Sequence, residues 1–227
     1  MSTAEPARPP VLELSGLEKS FGPQTVLRGV GFTLPENERI AVMGPSGSGK
    51  STLLNCLAGL ERPDRGTIRF QGRDLLAMGE AAVTELRRQS MTSIFQFFHL
   101  LPTLNARENV EFPLLLRKEP RRKREERVAA LLEEVGLSHR ARAVPSELSG
   151  GEMQRLAIAR ALITEPVLIL ADEPTGSLDS RNSERILQLL LALTRRHGTA
   201  LLMVTHDPQA AAICNRTLRM QDGLLVT

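Results

Sequence analysis

"MGPSGSGKST" (residues 43–52) surrounds a single lysine with glycines and small hydroxyl side chains. Gly44, Pro45, Ser46, Gly47, Ser48, Gly49, Lys50 and Ser51 match the spacing G-x-x-x-x-G-K-[ST]. Glycines let successive backbone N–H groups point inward around a phosphate, where side chains would block the approach. Lys50 adds a point charge at the β- and γ-phosphates, and the Ser51 hydroxyl can ligate Mg2+, with Thr52 following in the same turn. The flanks suit such a cradle. RIAVM (39–43) reads as a short strand, and STLLNCLAGL (51–60) as an apolar helix whose N-terminus faces the phosphates.

A phosphate cradle does not by itself specify a reaction. VLILADEP (167–174) reads as a buried strand ending in two carboxylates. Asp172, at the strand end, can hold Mg2+ through its water shell. Successive residues on a strand face opposite ways, so Glu173 is expected to point elsewhere and to polarise an attacking water.

The rest of the chain sets bounds. Its 227 residues are 41% hydrophobic and 24% charged, with a net charge of +3, which is ordinary for a globular protein and demands no nucleic acid or anionic surface as partner. Cys56 and Cys214 lie far apart in no C-x-x-C pattern, so free thiols are expected. No stretch reaches the about 18 uncharged apolar residues of a spanning helix, so a role at a membrane would need another chain to cross it. MSTAEPARPP has no apolar signal region, and residues 1–10 are expected to form a flexible tail. Residues 11–227 are expected to form one domain, with a core over 11–94 and 147–227. The Leu-, Phe- and Pro-rich stretch 97–116 and the charged, then amphipathic, 117–137 read as a helical subdomain inserted over about 95–146. Its basic run reads as a solvated helix start.

Between the two pieces of the site lies LSGGEMQR (148–155). A glycine-rich cradle, Gln96 in SIFQ, LSGG-x-x-QR, an apolar run ending in Asp172-Glu173, Asp179 in GSLD and His206 in MVTHD follow in the order of the ATP-binding-cassette ATPases, which this chain resembles over nearly its whole length. The resemblance implies an α/β fold: a P-loop ATPase core with an N-terminal antiparallel β portion and the inserted helical subdomain. It implies Mg2+-dependent ATP hydrolysis with Glu173 as base, His206 as the switch histidine at the γ-phosphate, and Gln96 as γ-phosphate and Mg2+ sensor beside Ser51 and Asp172. Phe21 stands where the family stacks an aromatic ring, usually Tyr, on adenine.

Ser149, Gly150 and Gly151 open a strongly helical run, so the Ser149 hydroxyl and exposed N–H groups are expected to make a second anion site. The family resolves two phosphate surfaces per chain with a head-to-tail homodimer, in which each signature closes over the other chain's ATP and Asp179 crosses the interface. It also implies a separate integral membrane permease, docked beside Gln96. Phe95, Phe97 and Phe98 stand at that place, as core or as docking rings. FQFFHLLPTLNARENVEFPLLLR, PSELSGGEMQR and ADEPTGSLDSRN look like ATPase subunits of lipoprotein-releasing and macrolide-exporting systems, whose permeases carry a large extracytoplasmic domain. TGSLD departs there from the usual TGNLD, a change read as outside the catalytic groups. Such a subunit would sit peripherally on the cytoplasmic face of the inner membrane. A cell-division or regulatory ATPase of the same group is the alternative. Coiled-coil arms and zinc modules of DNA-directed relatives are lacking, so no nucleic-acid partner is expected, and no N-K-x-D guanine motif is present.

Overall fold

The computed structural model describes residues 9–226, so the expected tail, apart from Pro9 and Pro10, lies outside the described residues. The chain runs β1 (Leu12–Phe21), β2 (Gln24–Leu34), β3 (Arg39–Met43), α1 (Lys50–Leu57), β4 (Arg65–Phe70), β5 (Arg73–Asp74), α2 (Glu80–Ser90) and β6 (Met91–Phe95). It continues through α3 (Ala106–Leu116), α4 (Arg121–Glu134), α5 (Gly150–Leu162), β7 (Leu168–Asp172), α6 (Ser180–Arg196), β8 (Ala200–Thr205), α7 (Pro208–Ala211), β9 (Arg216–Gln221) and β10 (Leu224–Val226).

Two sheets result. A four-stranded antiparallel sheet has the order β2-β1-β4-β5, and a six-stranded sheet the order β10-β9-β3-β8-β7-β6. In the larger one β9, β3, β8, β7 and β6 are parallel, with β10 antiparallel at the edge. The sequence accounts for the difference. ALLMVT in β8 is buried along its whole length, as a strand covered on both faces must be. β1 begins by alternating, with Leu12 and Leu14 buried and Glu13 and Ser15 exposed, because only one face of its sheet meets the core. That face packs with Leu53, Leu54 and Leu57 of α1 and with Leu168, Leu170, Leu202 and Val204 of the large sheet.

The opposite face of the large sheet carries α5 and α6. Ile186, Leu187, Leu190 and Leu193 of α6 recur at helical spacing and are buried. Ala106, Val110 and Leu114 of α3 and Val128, Leu131 and Leu132 of α4 belong to the same apolar cluster, which continues through Leu156, Ile158 and Leu162 of α5 into β7 and β8. α3 is entered through a reciprocal cap in which Asn105 accepts from the Glu108 N–H and Glu108 accepts from the Asn105 N–H, both at 2.9 Å. The side chain of the fully buried Asn109 bonds to Leu101, Leu104 and Asn105, and so organises the loop that follows β6.

The basic run divides in two. Arg121 and Arg122 are exposed and pair with Glu125 and Glu126 one turn on, as a solvated helix start should. Arg117, Arg124 and Arg127 are instead turned into the structure, which corrects the expectation for that half. Arg117 donates to the carbonyls of Arg88, Gln89 and Thr164 at 2.9, 2.7 and 2.9 Å, tying the ends of α2, α3 and α5 together. Arg124 reaches Glu111 at 2.8 Å, and Arg127 reaches Glu119 at 3.0 Å. A hydropathy pattern sees only charge, whereas these guanidiniums are placed by carbonyls distant in the chain. Arg117→Ala leaves three carbonyls without that donor and should lower unfolding stability in urea by about 1–3 kcal/mol. Arg122→Ala should leave the urea midpoint where it is. Equal effects of the two would contradict this division.

Candidate functional site

Parallel pairing brings four strand ends to one edge. Met43 of β3 stands opposite Thr205 of β8, Asp172 of β7 opposite Val204, and Phe95 of β6 opposite Asp172. The loops leaving these ends enclose a cleft of about 740 Å3, lined by Pro45, Ser46, Gly47, Gly49, Lys50, Ser51, Thr52, Gln96, Asp172, Glu173 and His206, with Val26 from β2. Ligands of open α/β sheets bind at this edge, outside the carboxyl ends of the strands.

The loop from β3 to α1 is shaped by close approach. A Cβ at Gly44 would lie 2.1 Å from the Met220 carbonyl oxygen, and one at Gly49 would lie 2.9 Å from that of Val26. Gly49 also has φ 102°, and occupies the N-cap position of α1 without a side-chain cap. The first N–H groups of α1 therefore face the cleft without intrahelical acceptors, and the helix dipole adds about half a positive charge there. Lys50 Nζ is folded back, donating to the Gly44 and Pro45 carbonyls at 2.8 and 2.9 Å. An ammonium held by its own loop is poised to turn onto an anion. Gly44 and Ser48 support the loop from behind. Ser48 is buried, and its carbonyl accepts from the Gly223 N–H at 3.1 Å.

Asp172 accepts a hydrogen bond from the Ser51 side chain. Burial raises the pKa of its carboxyl and the Glu173 charge adds to this, against that hydrogen bond and Lys50. Ser51, Asp172 and Gln96 offer a hydroxyl, a carboxylate and an amide oxygen, hard donors of the kind Mg2+ takes while phosphates and water complete its shell. Among the described residues no cluster of three or more His, Cys, Asp or Glu competes as an all-protein metal site.

Glu173 separates from Asp172, but not by strand alternation. β7 stops at Asp172, and Glu173 is left-handed with φ 44°. Its N–H donates to the Val204 carbonyl at 3.0 Å, Thr205 Oγ1 donates to Oε2 at 3.0 Å, and His206 Nδ1 lies 2.8 Å from Oε1. His206, 69% exposed on its side chain, thus meets the carboxylate expected to act as base, a contact no spacing announces. Ser177 supplies another. Its hydroxyl donates to the Gln96 carbonyl at 2.8 Å, so the TGSLD departure touches a site residue after all.

The remaining expected residues lie off the cleft lining. Phe21 is 47% exposed at the end of the β1–β2 hairpin from which Val26 lines the cleft, and Lys19 Nζ sits 4.9 Å from its ring centroid. Ser149 caps α5. Its hydroxyl accepts from the Glu152 N–H at 3.3 Å and donates to the Glu152 carboxylate at 2.8 Å, so the expected anion-binding hydroxyl is engaged locally. The Ser149 N–H, and then its hydroxyl, hold the Glu152 carboxyl below its usual pKa. A Cβ at Gly150 would meet Leu178 and one at Gly151 would meet Asn182, both at 3.2 Å. Asp179 caps α6 by accepting from the Asn182 N–H at 2.9 Å. The signature and the Asp179 turn therefore pack together, apart from their own chain's cleft.

Comparison with known proteins gives the fold and the family. The family profile described as ABC transporter matches residues 27–176. The lipoprotein-releasing system ATP-binding protein LolD of Hydrogenovibrio crunogenus is 46% identical over 217 residues, 94% of each chain. A dimeric post-hydrolysis structure of the ATP-binding cassette MJ0796 bound to ADP and Pi superposes with a TM-score of 0.86 at 36% identity, covering 95% of this chain and 97% of that one. The structure of cbiO1 from Clostridium perfringens, part of the ABC transporter complex cbiONQ, gives 0.89 at 26% identity over 96% and 88%. With its cradle, its paired acids and its signature in the fold of these cassettes, the chain belongs to the ABC transporter family, as an ATP-binding, Mg2+-dependent ATPase subunit.

Proposed function

We propose that this ATPase acts as a homodimer that drives a separate membrane permease in a lipoprotein-release type of export, working peripherally at the cytoplasmic face of the inner membrane. The observation that carries the dimer is the placement of Ser149, Gly150, Gly151 and Asp179 away from the cleft that holds Lys50 and Glu173. A signature that does not line its own chain's cleft, and a cleft that holds the base, are joined most simply by a second copy arranged head to tail. The dimeric MJ0796 cassette supports this arrangement, and the LolD relative, named for a lipoprotein-releasing system, supports the export type; a permease with an extracytoplasmic domain is part of the same proposal. Among the described residues no helix is long and apolar enough to cross a membrane, so the permease would supply that part.

MgATP, when bound, would offer a γ-phosphorus to which water adds as the bond to the bridging oxygen breaks and ADP leaves, giving ADP and phosphate. Lys50 turns from the Gly44 and Pro45 carbonyls to the phosphates, and Phe21 offers its exposed face to adenine. Ser51, Asp172 and Gln96 would hold the Mg2+, which would neutralise charge on the phosphates. Glu173 accepts the proton of the attacking water, its carboxylate fixed by Thr205 and adjoining His206, which reaches toward the γ-phosphate. Ser149 must release Glu152 to donate to the partner chain's nucleotide.

Phe97 is 69% exposed immediately beyond Gln96, and suits a ring presented to the permease. Phe98 is half-buried, its ring edge near Gly150, and Phe95 stacks on His99 at 4.4 Å between centroids. Only Phe97 can therefore be truncated without disturbing packing.

Glu173→Gln should bind MgATP as tightly as the wild type while hydrolysis falls by roughly 10²–10⁴-fold, and it should accumulate an ATP-held dimer on gel filtration. Near-wild-type turnover would place the base elsewhere. Phe97→Ala should keep the isolated subunit's ATPase within about twofold while weakening permease binding by about 2 kcal/mol. Permease stimulation that survives the truncation would move the docking surface away from this ring.

A further inference from the structure

The turn that carries Gln96 has a backbone its own residues do not favour. Phe98 and His99 are consecutive non-glycine residues with φ 61° and 48°. The left-handed region is disfavoured for such side chains, so the turn persists only if its surroundings hold it. Its internal bonds are few: the Phe98 N–H to the Phe95 carbonyl at 3.3 Å and the His99 N–H to that of Phe97 at 2.6 Å.

Two side chains from other elements complete the hold. Arg160 of α5 donates to the Phe98 and His99 carbonyls at 2.9 and 2.6 Å. Burial alone lowers its pKa, and no ion pair to a carboxylate is formed by it among the described residues. A desolvated guanidinium needs acceptors, and the two carbonyls of this turn supply them. From the other side Ser177 donates to the Gln96 carbonyl at 2.8 Å. Gly176 beside it leaves room for the Gln96 amide, because a Cβ there would lie 2.8 Å from Nε2.

We propose that Arg160 and Ser177 are positioning residues for Gln96: together they hold three backbone carbonyls of residues 96–99 and so place its amide in the cleft with Ser51 and Asp172. Arg160 sits on the helix that begins with the signature, and Ser177 on the turn between Glu173 and Asp179. A shift of α5 relative to the sheet is thereby carried to the turn holding Gln96. This matters for catalysis only if Gln96 is the Mg2+ and γ-phosphate ligand assigned above.

The test combines hydrogen exchange of the nucleotide-free chain with the Mg2+ dependence of ATP hydrolysis, for Ser177→Ala, Arg160→Lys, Gln96→Ala and the Ser177→Ala/Gln96→Ala pair. Lysine keeps the charge of Arg160 but loses the fork that spans two carbonyls. Each clamp variant should speed exchange in residues 95–100 by about tenfold while α1 and β7 exchange as before. In Ser177→Ala the Mg2+ concentration for half-maximal hydrolysis should rise several-fold, and ATP affinity measured without Mg2+ should stay within about twofold. In the Gln96→Ala background Ser177→Ala should change hydrolysis by less than about twofold, because both act through one side chain. Unchanged exchange in 95–100, faster exchange throughout the chain, or losses that multiply in the double variant would overturn the proposal. Wild-type Mg2+ dependence in Gln96→Ala would instead remove the ligand role of Gln96, and the exchange measurement would still judge the clamp.

Discussion

Met43, Thr205, Asp172 and Phe95 end β3, β8, β7 and β6 within one residue of a common row, because those four strands run parallel. Everything in the cleft depends on that pairing. The phosphate cradle, His206, the paired acids and Gln96 each stand at or just beyond one strand end, although more than a hundred residues separate the first from the last. A slip of one residue in any strand would turn its buried side chains to the other face, so the apolar clusters on both sides of the sheet also fix the site.

In the cleft and at the signature apart from it, charge is held in reserve. Lys50 satisfies its ammonium on loop carbonyls, Ser51 bonds to Asp172, Glu173 meets Thr205 and His206, and Ser149 bonds to Glu152. Each of these contacts occupies a group that nucleotide, metal or a second chain would claim. The pairings keep partly buried polar groups from standing alone, and exchanging them for ligand contacts lets binding reorganise the site at little net cost. Gly44 and Gly49 belong to the same logic, since neighbouring strands leave no space for a side chain at either position.

The core of this site was readable because it is local. The cradle is one contiguous stretch, and the acids end an apolar run whose length and branching announce a buried strand. The helix after the cradle and the amphipathic stretch 117–137 can be read from their apolar residues, whereas the antiparallel portion is implied only by the family resemblance. What escaped are contacts between residues distant in the chain. Ser177 on Gln96 spans 81 residues and Arg160 on Phe98 spans 62, and no periodicity records either. Strand alternation does not account for Glu173, because it lies beyond β7 in a left-handed turn that no glycine in the sequence marks. Arg117, Arg124 and Arg127 looked like their solvated neighbours for a similar reason: identical side chains are sorted inward or outward only by carbonyls and carboxylates the fold brings near.

The separation of the signature from its own chain's cleft makes the cooperation of two copies the central claim, and the dependence of turnover on protein concentration tests it most directly. ATP hydrolysis per chain, followed at saturating MgATP across dilution with the oligomeric state read in parallel by light scattering, should fall as the ATP-bound dimer dissociates. Turnover per chain that stays constant where every chain is monomeric would contradict the account.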